Sequence, residues 1–204
     1  MKTIAIISRK GGAGKTTIAL HLAVEAEAQG KRIVVFDLDP QASATLWADH
    51  RGTQNPYVIP AQAPRLVSML EQAKKQKAEL VIMDTAPHDD GAASAAASYA
   101  DFIIIPCRPS SLDLDAIATS IRLASVKAKA AYVLINSAPA QGNETNQAIN
   151  ALKKADVQVC PVVLHQRKSF SSHMQIGLTA GEFEAKGKAA QEIRNLYNWI
   201  DNKV

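Results

Sequence analysis

The chain has 204 residues, 47% of them hydrophobic, and a formal net charge of +4. That much apolar material fills one well-buried α/β domain and the length is short for two, while the mild basic excess suits an anionic partner without requiring one. Two cysteines, Cys107 and Cys160, exclude a disulfide framework and a CxxC motif, which fits a reducing cytoplasm, and no apolar run is long enough to span a bilayer.

In chain order, the first apolar run is 4–7, too brief for a signal peptide and followed almost at once by Arg9 and Lys10. A helical period comes next at about 16–29, with Ile18, Leu22 and Ala26 on one face and Gly30 as its stop. Runs at 33–36, 80–83, 102–105, 132–135 and 159–164 read as further strands. Between and after them, stretches at about 66–77, 90–99, 113–129, 144–155 and 187–202 read as helices. The strands lack polar alternation, so the sheet is expected to be covered on both faces. Strand–helix alternation implies right-handed crossovers, and the predicted fold class is α/β, a doubly wound, mainly parallel sheet with helices on both faces. Residues 50–65, with Pro56, Pro60 and Pro64, read as a surface loop with room for a short edge strand. No repeat or linker interrupts this pattern, and one domain over 1–204 is expected.

The segment SRKGGAGKTT, 8–17, sits between the first strand and the first helix. Gly11, Gly12 and Gly14 let the backbone fold tightly, with N–H groups turned toward phosphate oxygens at Ala13 and its neighbours. Lys15 is placed to reach the β- and γ-phosphates, Thr16 to give a hydroxyl to Mg2+, and the helix start through Thr17 to add its dipole. A strict GxxxxGK[ST] needs glycine at position 9, where this chain has Arg9.

KGGAGKTT resembles the deviant Walker A motif of the ParA/MinD superfamily of ATPases, closest to the short, ParF-like partition proteins. The resemblance implies a P-loop NTPase fold, ATP and Mg2+ as cofactors, and a homodimer formed on ATP binding. It also implies a catalytic role in trans for Lys10, beside Lys15: a cation from one subunit offsets phosphate charge in the other, as an arginine finger does. The stretch FDLDPQ, 36–41, resembles the family's D-x-D-P-Q switch, in which Asp39 serves the attacking water and is a candidate metal ligand, while Asp37 supports the loop. Carboxylates at the carboxyl end of a parallel strand face the ligand crevice; the lesser alternative is that Asp39-Pro40 starts a turn and caps a helix that Ser43 begins. LVIMDTAP, 80–87, has the form of a Walker B strand and switch II, with Asp84 on the metal. His88 reads as a surface histidine. Asn136 resembles the family's adenine-binding asparagine, and Pro109 lines the nucleotide side. The cysteines do not match the cluster ligands of the related nitrogenase iron protein.

The same resemblance frames the partners. With the first strand starting near residue 3, no N-terminal helix-turn-helix is expected, so DNA binding is expected to be non-specific, through Arg167 and Lys168 and with Arg122, Lys127, Lys129, Lys186 and Lys188 as further candidates. A ParB-like centromere-binding protein is the implied stimulating partner, and the location implied is the nucleoid. The last helix carries Ile193, Leu196, Tyr197 and Ile200 on one stripe with few lysines opposite, so a membrane anchor is not expected. Two alternatives stand beside partition: a MinD-like or cargo-positioning ATPase on a membrane or protein scaffold, and a dethiobiotin-synthetase-like small-molecule enzyme.

Overall fold

Successive residues of a strand face opposite ways, and here both ways lead into apolar cores. Ile4 and Ile6 of β1 (Lys2–Ile6), Ile82 of β4 (Leu80–Asp84) and Ile104 of β5 (Phe102–Cys107) point to α1 (Lys15–Ala28) and α9 (Lys188–Asp201). Their neighbours Ala5, Val81, Met83 and Ile103 point to α3 (Leu66–Lys75), α4 (Asp90–Tyr99), α6 (Ala118–Lys127) and α7 (Glu144–Lys154). The structure, a computed structural model, describes residues 1–127 and 130–203, without the side chains at 112, 115, 116 and 125–127.

The sheet has six strands in the order β3-β2-β4-β1-β5-β6, all parallel, with β2 at Ile33–Asp37, β3 at Tyr57–Pro60 and β6 at Ala131–Ile135. This is the predicted doubly wound arrangement. The proline-rich loop does hold an edge strand, β3, with a cis Asn55–Pro56 bond before it and Pro60 at its end. β1, β2, β4 and β6 differ from expectation by one or two residues at an end, and two runs differ more. β5 continues through Pro106 to Cys107, because Pro106 lies past the last β1 pair, Ile6–Ile104. Residues 159–164, expected as a strand, run beside β6 with an isolated bridge at Val133–Val159 and hydrogen bonds from Cys160 N to the Val133 carbonyl and from Leu164 N to the Ile135 carbonyl, and Pro161 has no N–H to continue a ladder.

Two of the short helices pack around α1. α2 (Ser43–His50) packs Ala44 and Trp47 against Leu20 and Val24 of α1, and α8 (Ala180–Phe183) follows a capping box at Thr179 and Glu182. As a result α1 is buried on every side from Ile18 to Ala26. One of its buried residues is His21, whose Nδ1–H donates to the Thr17 carbonyl at 2.8 Å while Nε2 accepts from Ala180 N at 3.1 Å. Burial drops its pKa to about 4, so the ring is a neutral brace between α1 and α8. α9 spends its apolar stripe, including Ile193, Leu196, Tyr197 and Ile200, on the core with α1. No helix among the described residues is long and apolar enough to cross a membrane.

At the floor of the α1 side, Phe102 is fully buried, stacked on Tyr132 at 5.2 Å and edge-on to Trp199 at 5.6 Å. Phe102→Ala is expected to cost roughly 3–5 kcal/mol in urea unfolding. A cost under about 1 kcal/mol would mean that this cluster does not hold α9 to the sheet.

Candidate nucleotide site

Register decides where the acidic groups go. Ile6, Asp84 and Asp37 are side by side across β1, β4 and β2, so the glycine loop after β1 opens beside two carboxylates. Both follow the inward positions Ile82 and Val35 by two residues and therefore lean toward the α1 side, where Lys15 begins its helix. This is the carboxyl edge of the sheet, the usual ligand edge of a doubly wound fold.

The loop's tight turns fall on Gly12, at φ 71°, and Gly14, at φ 92°. Gly14 also has no room for a side chain, since a Cβ there would collide with Asn136 Nδ2. Asn136 itself donates from Nδ2 to the Ala13 carbonyl at 2.8 Å, so it braces the loop from the end of β6. Arg108, after β5, donates to the Gly12 carbonyl at 2.7 Å. Arg9, at the position where the strict motif has glycine, pairs with Asp90 of α4 at 3.1 Å. The departure from the motif is thus used as a tether.

The two lysines of the loop have different surroundings. Lys15 is buried, its Nζ donates to the Lys10 carbonyl at 3.4 Å, and burial lowers its pKa against the upward pull of Asp84 and Asp39. Lys10 is 39% exposed and turns away to Asp113 Oδ1 at 2.5 Å. Asp113 lies in α5 (Ser111–Ala116), and Ser110 donates to its other carboxyl oxygen. Burial pushes the Asp113 carboxyl up, but Lys10 and Ser110 outweigh it and hold the group below its ordinary value.

Asp84 is fully buried, and neither of its oxygens makes a hydrogen bond among the described residues. Burial lifts its pKa to about 7; the nearby Thr16 hydroxyl draws it down, Asp37 lifts it and Lys15 lowers it. An unpartnered carboxyl beside a threonine hydroxyl, at the mouth of a phosphate loop, fits one edge of a hydrated Mg2+. Among the described residues no three His, Cys, Asp or Glu side chains gather to hold a metal by themselves, so the remaining ligands would be water and phosphate. Asp37 is already satisfied: it accepts from Asp39 N, Thr45 N and Thr45 Oγ1 at 3.2, 2.9 and 2.8 Å, and so closes the start of α2. Asp39, half-buried, accepts from Gln41 N at 2.9 Å through Oδ1. Thr85 donates to the Ile6 carbonyl at 2.9 Å and locks switch II to β1.

Beside the loop lies a cleft of ≈ 580 Å3 lined by Gly12, Gly14, Arg108, Asn136, Arg167 and Lys168, among others. A larger groove of ≈ 760 Å3 runs along β2 and β3 and touches no residue of the glycine loop. Of these two, only the smaller one touches the glycine loop. Arg167 donates to Glu192 Oε1 from Nε at 3.0 Å and from Nη2 at 2.6 Å, and the latter pair is a salt bridge. Its guanidinium is thus held at the cleft wall, while Lys168 is exposed. Burial pushes the Glu192 carboxyl up, and Arg167 with His165 more than reverses this. Pro109 is half-buried beyond Arg108, and His88 is exposed. Arg122, Lys186 and Lys188 are exposed; the Lys127 side chain and Lys129 lie outside the described residues. Both cysteines are buried, with thiols pushed up to about 12, as packing groups are. Sequence reasoning missed Arg108 and Asp113; the first sits at a strand's carboxyl end, where the ligand-edge rule would have found it.

Residues 4–179 match the CobQ/CobB/MinD/ParA nucleotide binding domain. The maintenance of carboxysome distribution protein A of Gloeobacter kilaueensis is 31% identical, over 100% of this chain and 94% of its own. Protein ParA of Rhizobium radiobacter is 30% identical, over 96% and 92%. In fold, the septum site-determining protein MinD of Pyrococcus horikoshii, solved with Mg-ADP, superposes with a TM-score of 0.80 at 18% identity, covering 98% of this chain and 96% of that one.

Two outcomes follow from this geometry. Gly14→Ala is expected to push Asn136 off Ala13 and abolish measurable nucleotide binding in calorimetry, with the fold kept; unchanged affinity would remove Asn136 from the site. For Asp84, the folded chain keeps a proton up to about pH 7 that the unfolded chain loses near 4, so this group subtracts stability as pH rises through that window. Metal-free Asp84→Asn should gain on the wild type between pH 5 and 8 in urea unfolding. A pH-independent difference would place Asp84 in an ordinary ionised state.

Proposed function

We propose, because this chain belongs to the CobQ/CobB/MinD/ParA nucleotide-binding family, that it is a partition ATPase whose ATP-bound form is a sandwich dimer on non-specific DNA. The chain is an ATPase, with ATP and Mg2+ as its cofactors. What carries the dimer reading is the contrast between the loop's lysines. Lys15 is buried next to Asp84, while Lys10 stands half-exposed and, among the described residues, is bound only to Asp113. A cation that the loop's own phosphate cradle does not use is available to a second subunit.

In this reading the backbone from Gly11 to Thr17 and the Lys15 ammonium grip the phosphates, and Asn136, Pro109 and the cleft walls hold the nucleoside. Thr16 and Asp84, with Asp39 at the edge, would hold Mg2+, which supplies charge neutralisation across the β- and γ-phosphates. Asp39 orients the attacking water, and most of the gain comes from placing it in line. Lys10 leaves Asp113 and neutralises charge on the triphosphate of the partner subunit. Dimerisation is then conditional on ATP, a ParB-like partner bound at a centromere stimulates hydrolysis, and the dimer releases DNA. Arg167 is fixed to Glu192 and braces the base cleft, which leaves Lys168 as the freer cation there.

A second cargo reading has its own support in the relative that maintains carboxysome distribution, similar along the whole chain. The two part on what stimulates turnover. ATP hydrolysis that rises with DNA and a DNA-bound partner belongs to partition; hydrolysis that answers only to a protein on a compartment shell belongs to the other.

Asp39→Ala is expected to keep the ATP-dependent dimer in light scattering and lower phosphate release at least tenfold. Turnover at the wild-type rate would move water placement to another group.

A further inference from the structure

Two neighbouring strands each send one side chain back to the glycine loop from the same height. Cys107 of β5 lies opposite Ile135 of β6, so the residues that follow, Arg108 and Asn136, leave the carboxyl edge side by side. Asn136 N donates to the Cys107 carbonyl at 2.8 Å, and Ser110 N donates to the Arg108 carbonyl at 2.9 Å, which fixes both starting points. Their side chains then take consecutive carbonyls of the loop. Arg108 Nη2 donates to Gly12 at 2.7 Å, and Asn136 Nδ2 donates to Ala13 at 2.8 Å.

Both peptides concerned are trans, since among the described residues the cis bond is Asn55–Pro56. In a trans peptide the carbonyl and the next N–H point opposite ways. A donor that holds the Gly12 carbonyl therefore also aims the Ala13 N–H, and one on the Ala13 carbonyl aims the Gly14 N–H. The backbone angles agree: φ is 71° at Gly12 and 92° at Gly14, while Ala13 between them is not a positive-φ residue. Alternation of this kind turns successive N–H groups into one concavity suited to an anion. Among the described residues neither N–H donates to a protein group, although Ala13 is buried. Two carbonyls are tied to side chains, and two donors are left for a ligand.

We infer that Arg108 is a positioning residue of the phosphate cradle: with Asn136 it sets the loop peptides so that the Ala13 and Gly14 N–H groups face the nucleotide before it arrives. The inference rests on the nucleotide reading of this loop and names what keeps the loop in its binding form. Glycines at 11, 12 and 14 make the turn possible, but they also make an untied loop costly to order. A loop that is already ordered binds more tightly, because its ordering no longer counts against the ligand. Arg108 suits the task because it is exposed, so the N–H groups it does not spend on Gly12 remain in water. Loop N–H groups of this kind cradle the α- and β-phosphates, which ADP and ATP share. The contribution of Arg108 is therefore the same for both nucleotides. A guanidinium that touched the γ-phosphate would instead tell them apart.

The test pairs calorimetry of ADP and ATP, in an Asp39→Ala parent, with amide NMR of the same proteins free of nucleotide. Arg108→Met keeps an unbranched side chain and removes the donor. It should weaken ADP and ATP by the same factor, at least tenfold, with an unaltered melting temperature. Before nucleotide is added, the Ala13 and Gly14 amide signals should shift or broaden in this variant. Arg108→Lys, which restores an N–H donor, should recover most of the affinity and the parent's amide signals. A loss confined to ATP would make Arg108 a γ-phosphate contact, and weaker binding with unchanged loop amides would make it a direct nucleotide contact; either overturns the inference. If the parent binds both nucleotides and Arg108→Met matches it, the nucleotide reading stands and the role of Arg108 is rejected. If the parent binds neither, the nucleotide reading fails and the inference falls with it.

Discussion

Parallel pairing in one register is the constraint that everything at the site inherits. Ile6 opposite Asp84 and Asp84 opposite Asp37 put the end of β1 and two carboxylates in a single row. A slip by one residue would turn both acids to the α4 side, away from Lys15 and Thr16, because strand side chains alternate. The apolar residues below enforce the row: Ile4, Ile82 and Val35 are buried against α1, and a slip would exchange them for Ala5, Val81 and Phe36. Core packing therefore fixes the chemistry above it.

The charges of that row are unequally satisfied. Asp37 accepts three hydrogen bonds and is structural, whereas among the described residues Asp84 is buried with none and Lys15 with only a long contact to a carbonyl. Groups left short of partners in a dry site are those a ligand completes. Lys10 is the counterpart outside the row. Its pairing with Asp113 gives the cation a partner within its own subunit, so any role in trans requires that this contact be exchanged for a stronger one. Phosphate charge can supply that exchange; a neutral ligand cannot.

Much of this was legible from residue order. The glycine spacing, the strand-ending Asp37 and Asp84 and the two lysines sit in local patterns that a parallel sheet turns into one edge. The strands failed to show where proline blurred them, at Pro106 inside β5 and at Pro161, which breaks a run that looked continuous. α8 is short and held by a partner distant in sequence, His21. Arg108 and Asp113 acquire their meaning only when β5 and α5 are laid against the loop. Arg167 shows the reverse case: a basic residue that reads as a DNA contact proves to be paired with Glu192 from α9.

The central claim is that one subunit's Lys10 balances charge on the nucleotide of its twin. A crystal structure with Mg2+ and a slowly hydrolysed ATP analogue addresses it directly. The account predicts a two-fold dimer in which Lys10 has left Asp113 and lies within salt-bridge distance of the phosphates held by the other copy. A nucleotide-loaded monomer with Lys10 still on Asp113 would contradict it.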